Sequence, residues 1–379
     1  MRILIAPDSF GGTLSAVQAA EAVAEGWRRA APADEVDLVP LSDGGPGFVD
    51  VLHTALGGEL RTETVAGPLG DHVDAAYLLH DGTAYVESAQ AAGLHLVPAD
   101  QRDPLRATTV GVGVLLGAAV GAGARRIVVG IGGSATNDGG AGLLTGLGAA
   151  FLDADGTVLP PGGGGLAGLA RATPGPTTDL AAAIARGDLQ MVAATDVDNP
   201  LLGPHGASSV FGPQKGASPA DVQRLDAALA HFADVLDRDW PTAAGQRDAP
   251  GAGAAGGMGY ALFVLGGRRE SGIDLVMAAT GLAERVAAAD LVITGEGSFD
   301  GQSLRGKAAT GVARAATAAA VPCLVVAGQT SVGNRELRAA GFSAAYSVAE
   351  SAGSVAAAMD RPAEELARLA QRLAGTWSR

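Results

Sequence analysis

The sequence predicts an α/β fold in two domains, and three observations carry that prediction. Short apolar runs of the buried parallel-strand kind alternate with helix-period stretches at both ends of the chain. The middle breaks this alternation with a hairpin signal and long glycine-rich loops. At 379 residues the chain is too long for one compact core and long enough for two.

Taken in order, Ile3 to Ala6 is a strand that runs through Pro7-Asp8-Ser9 into an amphipathic helix from about Ser15 to Ala30. A second strand, Val36 to Leu41, ends in Ser42-Asp43-Gly44-Gly45, and a helix follows from about Phe48 to Leu56. From Glu59 to Ser88 the residues alternate around Asp81-Gly82, which marks a β-hairpin. After a helical stretch, Arg126 to Ile131 is an apolar buried strand, Pro160 to Gly168 a loop without periodicity, and Leu189 to Thr195 another buried strand ending at Asp196. Strands at Leu291–Thr294, Cys323–Ala327 and Ala344–Val348 then alternate with helices, and a helix from Ala363 to Trp377 closes the chain. This tail matches the opening better than the middle. The expected arrangement is therefore a Rossmann-like or flavodoxin-like parallel-sheet domain from residues 1–70 and 285–379. A second α/β domain, residues 71–284, is inserted into it, and the cleft between such domains is a default ligand site.

Composition removes several function classes. The net charge of −14 argues against nucleic acid or an anionic membrane as the main partner, so any anionic substrate must be held by local donors. The single cysteine, Cys323, excludes an intrachain disulfide and sits in an apolar run as a small hydrophobe. The six histidines show no zinc-ligand spacing. Val110 to Ala124 is too short to span a bilayer, and the chain enters a strand at once, which leaves no signal peptide and points to the cytoplasm. Self-association is left open. Only two of the 26 basic residues are lysines, Lys215 and Lys307, and both fall in glycine-rich loops. A lysine kept under such a bias suits a site that needs a compact point charge beside a phosphate.

Four strand-end loops collect the small, acidic and lysine residues. They start at Asp8-Ser9, at Gly132-Gly133-Ser134, at Asp196-Val197-Asp198-Asn199 with Lys215 further on, and at Gly295-Glu296-Gly297 with Asp300, Arg305 and Lys307 beyond. Such loops aim backbone N–H groups and a helix start at one point, which suits phosphate. Two standard motifs nearly match. Gly251 to Gly256 fits GxGxxG but follows no strand, so its glycines are expected to allow close packing or approach to a nucleotide other than NAD. Gly301 to Lys307 fits GxxxxGK, but Ala308 stands where a P-loop needs a hydroxyl. Phosphoryl transfer asks mainly for positioning, a divalent ion and a carboxylate on the attacking hydroxyl. Asp196 or Asp198 can fill the last role, while Glu296 and Asp300 can hold a metal directly or through water.

Together the segments APDSF, GGSATNDGGAG, TDVDNPL with FGPQKGA, GAGAAGG, and DLVITGEG with GK resemble the bacterial glycerate kinase family over essentially the whole chain. The resemblance implies ATP and Mg²⁺ and transfer of the γ-phosphoryl group to D-glycerate, with 2-phosphoglycerate the usual product. The expected catalytic residues are Asp196, Lys215 and Asp8. Substrate contacts are expected from Ser9, Asp43, Gly44, Ser134, Asn137, Asp138, Asp198 and Asn199. Nucleotide contacts are expected from Gly132, Gly133, Gly295, Glu296, Gly297, Arg305 and Lys307, and metal contacts from Glu296 and Asp300. Gly11 stands where family members often carry lysine, and Pro46 where they often carry glutamate. Another small hydroxy acid as acceptor, or a ligand-binding relative with weak turnover, stays open beside this reading. A NAD-dependent hydroxy-acid dehydrogenase would fit the α/β pattern but needs a strand-linked GxGxxG, which this chain lacks.

Overall fold

The computed structural model describes residues 1–378 except 302, 306 and 307, and the side chain of Arg305 is likewise outside the description. In chain order the strands are β1 (Arg2–Pro7), β2 (Glu35–Leu38), β3 (Glu59–Ala66), β4 (His72–His80), β5 (Thr83–Glu87), β6 (Arg126–Gly130), β7 (Ala150–Leu152), β8 (Arg171–Thr173), β9 (Gln190–Ala194), β10 (Arg268–Glu270), β11 (Leu291–Phe299), β12 (Cys323–Thr330) and β13 (Ala344–Ser347). The chain divides into two compact units. One is Met1–Asp43, Asp50–Leu56 and Gly272–Arg379, and the other is Gly44–Val49 and Gly57–Ser271.

The first unit holds a five-stranded sheet in the order β13-β12-β11-β1-β2, every pair parallel. This is the flavodoxin-type order, in which the direction of winding reverses between β1 and β11. The strands are apolar on both faces because helices cover both, so Ile3, Ile5, Leu291, Ile293, Leu324 and Val326 are all buried. The helix Ala16–Ala30 starts at a capping box, in which Ser15 accepts from the Gln18 N–H and Gln18 returns a bond to the Ser15 N–H. Its Ala19, Ala20, Val23 and Trp27 recur at helical spacing and join Leu366, Leu369, Ala370 and Leu373 of the closing helix, Pro362–Trp377, in one core. Cys323 is fully buried, and burial pushes its thiol up to about 12, which keeps it an unreactive packing residue.

The second unit holds a six-stranded mixed sheet, β10-β9-β6-β5-β4-β3. Strands β5, β6, β9 and β10 run parallel, and β3 and β4 extend the sheet antiparallel. The β4–β5 hairpin turns at Asp81 (φ 46°) and Gly82 (φ 73°), the two positive values that a tight two-residue turn requires. The core gathers Val86, Val129, Leu116, Leu143, Phe232 and Tyr260.

The unit boundaries differ from the sequence expectation at both ends. All eight residues of β3 pair with β4, which places residues 57–70 in the second unit rather than the first. The helix Gly272–Ala279 belongs to the first unit, where Asp274 pairs with Arg314 at 3.1 Å and Ile273 and Met277 flank Gly311. Among the described residues no helix is long and apolar enough to cross a membrane.

Candidate active site

In the first unit, the carboxyl end of β1 lies beside Gly295 of β11 at the winding reversal, where α/β sheets place their ligands. The Asp8 N–H donates to the Gly295 carbonyl at 2.8 Å, and Asp8 Oδ1 accepts from the Ser9 N–H at 2.6 Å. Asp8, Ser9, Gly295, Glu296 and Gly297 are therefore brought together, but β11 runs on to Phe299 through its pairing with β12, so the last three lie within the strand and not in a loop after Thr294. Glu296 is nearly buried at 7% exposure, whereas Asp300 is more open and its Oδ1 accepts from the Ser303 N–H at 3.3 Å. Asp43 closes the segment after β2 and is partly exposed. Lys307 and the side chain of Arg305 lie outside the described residues.

Gly11 belongs to the loop after β1 and holds φ +40°, with open space where a Cβ would project. Replacing it by lysine meets no clash, only the cost of a left-handed backbone for an L side chain. Gly11→Lys is expected to lower unfolding free energy by about 1 kcal/mol in denaturant titration. An unchanged midpoint would mean that the loop relaxes to a negative φ.

In the second unit, a glycine-lined junction forms over the carboxyl ends of β6 and β9. The Gly132 N–H donates to the Gly44 carbonyl at 3.0 Å, and a Cβ on Gly44, already at φ +94°, would lie 2.7 Å from the Ala194 oxygen. Glu87, buried at the end of β5, anchors the same segment because its Oε2 accepts from the Gly47 and Val49 N–H groups. A carboxylate there also complements the start of the helix Phe48–Leu56.

The loop after β6 is held from inside. Lys215 is only 2% exposed, and its Nζ donates to Ser134 Oγ at 2.9 Å and to the Thr136 carbonyl at 2.6 Å. Burial pushes the ammonium down to about 7, with Asp138 pulling the other way. Asp138 is fully buried and accepts from the Thr109 N–H, Thr109 Oγ1, the Gly140 N–H and the Gly142 N–H. Burial nevertheless raises its carboxyl above the ordinary value. With four donors from the protein, Asp138 holds the loop, a role different from the substrate contact expected of it. Asn137 donates from Nδ2 to Ser208 Oγ at 2.8 Å, while its Oδ1 and Thr136 Oγ1 are buried without a partner among the described residues. Buried polar atoms are seldom left so, and the pair marks a place where a ligand or water supplies the missing bonds.

The GxGxxG segment packs against this same loop. Ala255, Gly256 and Gly257 all take positive φ, and a Cβ on Gly256 would fall 2.0 Å from the Thr136 oxygen. These glycines serve close backbone packing, the first of the two roles expected of them.

Asp196 lies two residues beyond β9, half-buried, and its Oδ1 accepts from the Ser271 hydroxyl at 2.6 Å. Asp198 is exposed, and Asn199 is taken up by the fold, donating from Nδ2 to the His205 carbonyl and accepting the Gly253 N–H. Sequence reasoning missed Ser271, Glu87, Thr109 and Ser208. Each partners a site loop from at least 29 residues away, and none carries a local motif.

The flavodoxin-ordered sheet of the first unit and the glycine-lined strand ends of the second define an α/β protein of two units. A model of the glycerate kinase family matches residues 3–378. A glycerate kinase of Bacillus subtilis is 44% identical, covering 99% of this chain and 97% of the relative, and the glycerate 2-kinase of Escherichia coli is 42% identical, covering 99% and 98%. A crystal structure described as glycerate kinase 2 from Salmonella typhimurium LT2 superposes with a TM-score of 0.78 at 40% identity, covering 99% of this chain and 98% of that one. The chain belongs to the glycerate kinase family.

Proposed function

We propose that the protein transfers the γ-phosphoryl group of ATP to D-glycerate, giving 2-phosphoglycerate and ADP. The observation that carries this reading is Asp196, a strand-end carboxylate whose orientation is held by Ser271. Asp196 accepts the proton of the attacking hydroxyl as the oxygen bonds to the γ-phosphorus and the bond to the ADP oxygen breaks. The glycine-rich segments Gly132-Gly133 and Gly295-Glu296-Gly297 are assigned to the nucleotide phosphates. Ser9, Asp43, Gly44, Ser134 and the unpartnered Asn137 Oδ1 are assigned to the acceptor acid. Lys215 contributes through the loop it holds.

Mg²⁺ fits this scheme as an ion carried mainly by the nucleotide, where it neutralises phosphate charge. Among the described residues no group of three or more His, Cys, Asp or Glu gathers at one point. Mg²⁺ needs only one or two carboxylates beside phosphates and water. Glu296 and Asp300 are the proposed carboxylates. They are separated by roughly 13 Å of near-extended chain, so they share one ion only through water or phosphate oxygens.

A phosphoryl-transfer screen over small hydroxy acids, with products read by phosphorus NMR, tests the proposal. Glycerate is expected to be the best acceptor, with phosphate on the 2-oxygen. Faster transfer to another acid would overturn the acceptor, and phosphate on the 3-oxygen would overturn the position. Glycerate that raises Tm without any transfer would favour a ligand-binding relative instead.

A further inference from the structure

Asp196 is held from a place with no local signature in the sequence. Ser271, its hydrogen-bond partner, is 75 residues away. The two meet because β10 pairs in parallel with β9, with Arg268, Arg269 and Glu270 opposite Val192, Ala193 and Ala194. The Thr195 N–H donates to the Glu270 carbonyl at 3.0 Å and carries the ladder one step further. The residues that leave the two strands thus emerge together, Asp196 from one and Ser271 from the other. Arg269 adds a second hold, donating from Nε to the Thr195 carbonyl at 3.2 Å. The backbone of Asp196 is fixed by the strand pair and Arg269, and Ser271 adds a direct hold on its side chain.

We infer that Ser271 is a positioning residue for the reaction, fixing the Asp196 carboxylate at the angle from which it takes the acceptor's proton. The inference rests on the reading of Asp196 as general base. A separation of 2.6 Å between hydroxyl and carboxylate oxygens falls in the range of charge-assisted bonds, which are stronger and more directional than neutral ones. Loss of such a bond widens the set of rotamers that a half-buried aspartate samples, and a misplacement of about 1 Å at a reacting group can cost on the order of 10²-fold in rate. Ser271 touches neither reactant in this scheme, so it acts through Asp196.

The test is a kinetic cycle of Ser271→Ala, Asp196→Asn and the double variant, with Ser271→Thr as the rescue. Ser271→Ala is expected to lower kcat about tenfold, with KM for ATP and acceptor changed less than about twofold. Ser271→Thr keeps the hydroxyl and is expected to restore kcat. In the Asp196→Asn background, Ser271→Ala is expected to cost nothing further, because no base remains to be oriented. Should the alanine variant fail to fold, Ser271→Cys keeps the volume with a weak donor and is expected to show the same loss of kcat. A serine that merely secures the sheet edge gives a different pattern, with Tm lowered, kcat kept, or the same factor lost in both backgrounds; each of these overturns the inference. Normal turnover in Ser271→Ala beside impaired Asp196→Asn removes this inference alone. Normal turnover in Asp196→Asn removes the base assignment and this inference with it.

Discussion

Asp196→Asn lowers kcat by roughly 10²-fold or more, the range contributed by a general base, and leaves Tm near that of the unaltered chain. Asparagine keeps the size of the side chain and an Oδ1 that still accepts from Ser271. What it loses is the capacity to take a proton. The turn after β9 has a support besides the carboxylate, since Thr195 Oγ1 accepts the Val197 N–H at 3.2 Å. A role confined to turn geometry would therefore show as lost stability with kcat retained. Steady-state kinetics and thermal unfolding of the one variant separate the two. A kcat within about threefold of the unaltered value would remove Asp196 from the chemistry.

Lys215→Ala is expected to reduce kcat/KM on the order of 10²-fold, and Lys215→Arg not to restore it. The alanine strips the buried Ser134 Oγ and Thr136 carbonyl of their donor and leaves a cavity beneath the loop. Arginine presents a wider planar fork to a fully buried site shaped for a single ammonium. Stability carries a second signature. The ammonium is pushed down to about 7 in the fold, against an ordinary 10.5. Between these values the unfolded chain binds more protons than the native one, so this group makes stability rise with pH from about 7 to about 10.5. Asp138, the charged neighbour of the ammonium, opposes this shift, and burial raises its own carboxyl above the ordinary value. Urea titrations across pH 6–10 check this, with a rise of up to a few kcal/mol in the unaltered chain that is absent from Lys215→Met. A rise of equal size in both would mean that Lys215 is not buried as an ammonium. Unchanged kinetics in Lys215→Ala would remove the lysine from any part in catalysis.

Much of this was legible in the residues themselves. Parallel buried strands declare themselves through unbroken apolar runs, so Ile3–Ala6, Arg126–Ile131, Leu189–Thr195 and Cys323–Ala327 were readable from one dimension. The Asp81-Gly82 turn was readable for the same reason, since few residues tolerate two successive positive φ values. Strand-end acids marked Asp8 and Asp196 as candidates, and the scarcity of lysine marked Lys215, whereas Glu296 proved to lie inside β11. The family motifs then tied these loops to one activity.

Other features were decided only when strands chose partners. The alternation in Glu59–Ala66 marks a strand but does not say that it joins β4, and that pairing moves the unit boundary. The sequence placed Lys215 in a loop facing phosphate, whereas packing turned it inward onto Ser134 and Thr136. Asp138 was drawn in with it and saturated by backbone donors from two segments. Ser271 reaches Asp196 through the β9–β10 register, a fact of position and not of composition. Local sequence determines which segments are strands, helices and tight turns because backbone sterics and apolar period act within a few residues. Which polar group meets which depends on contacts between segments far apart in the chain, and only the tertiary structure sets those.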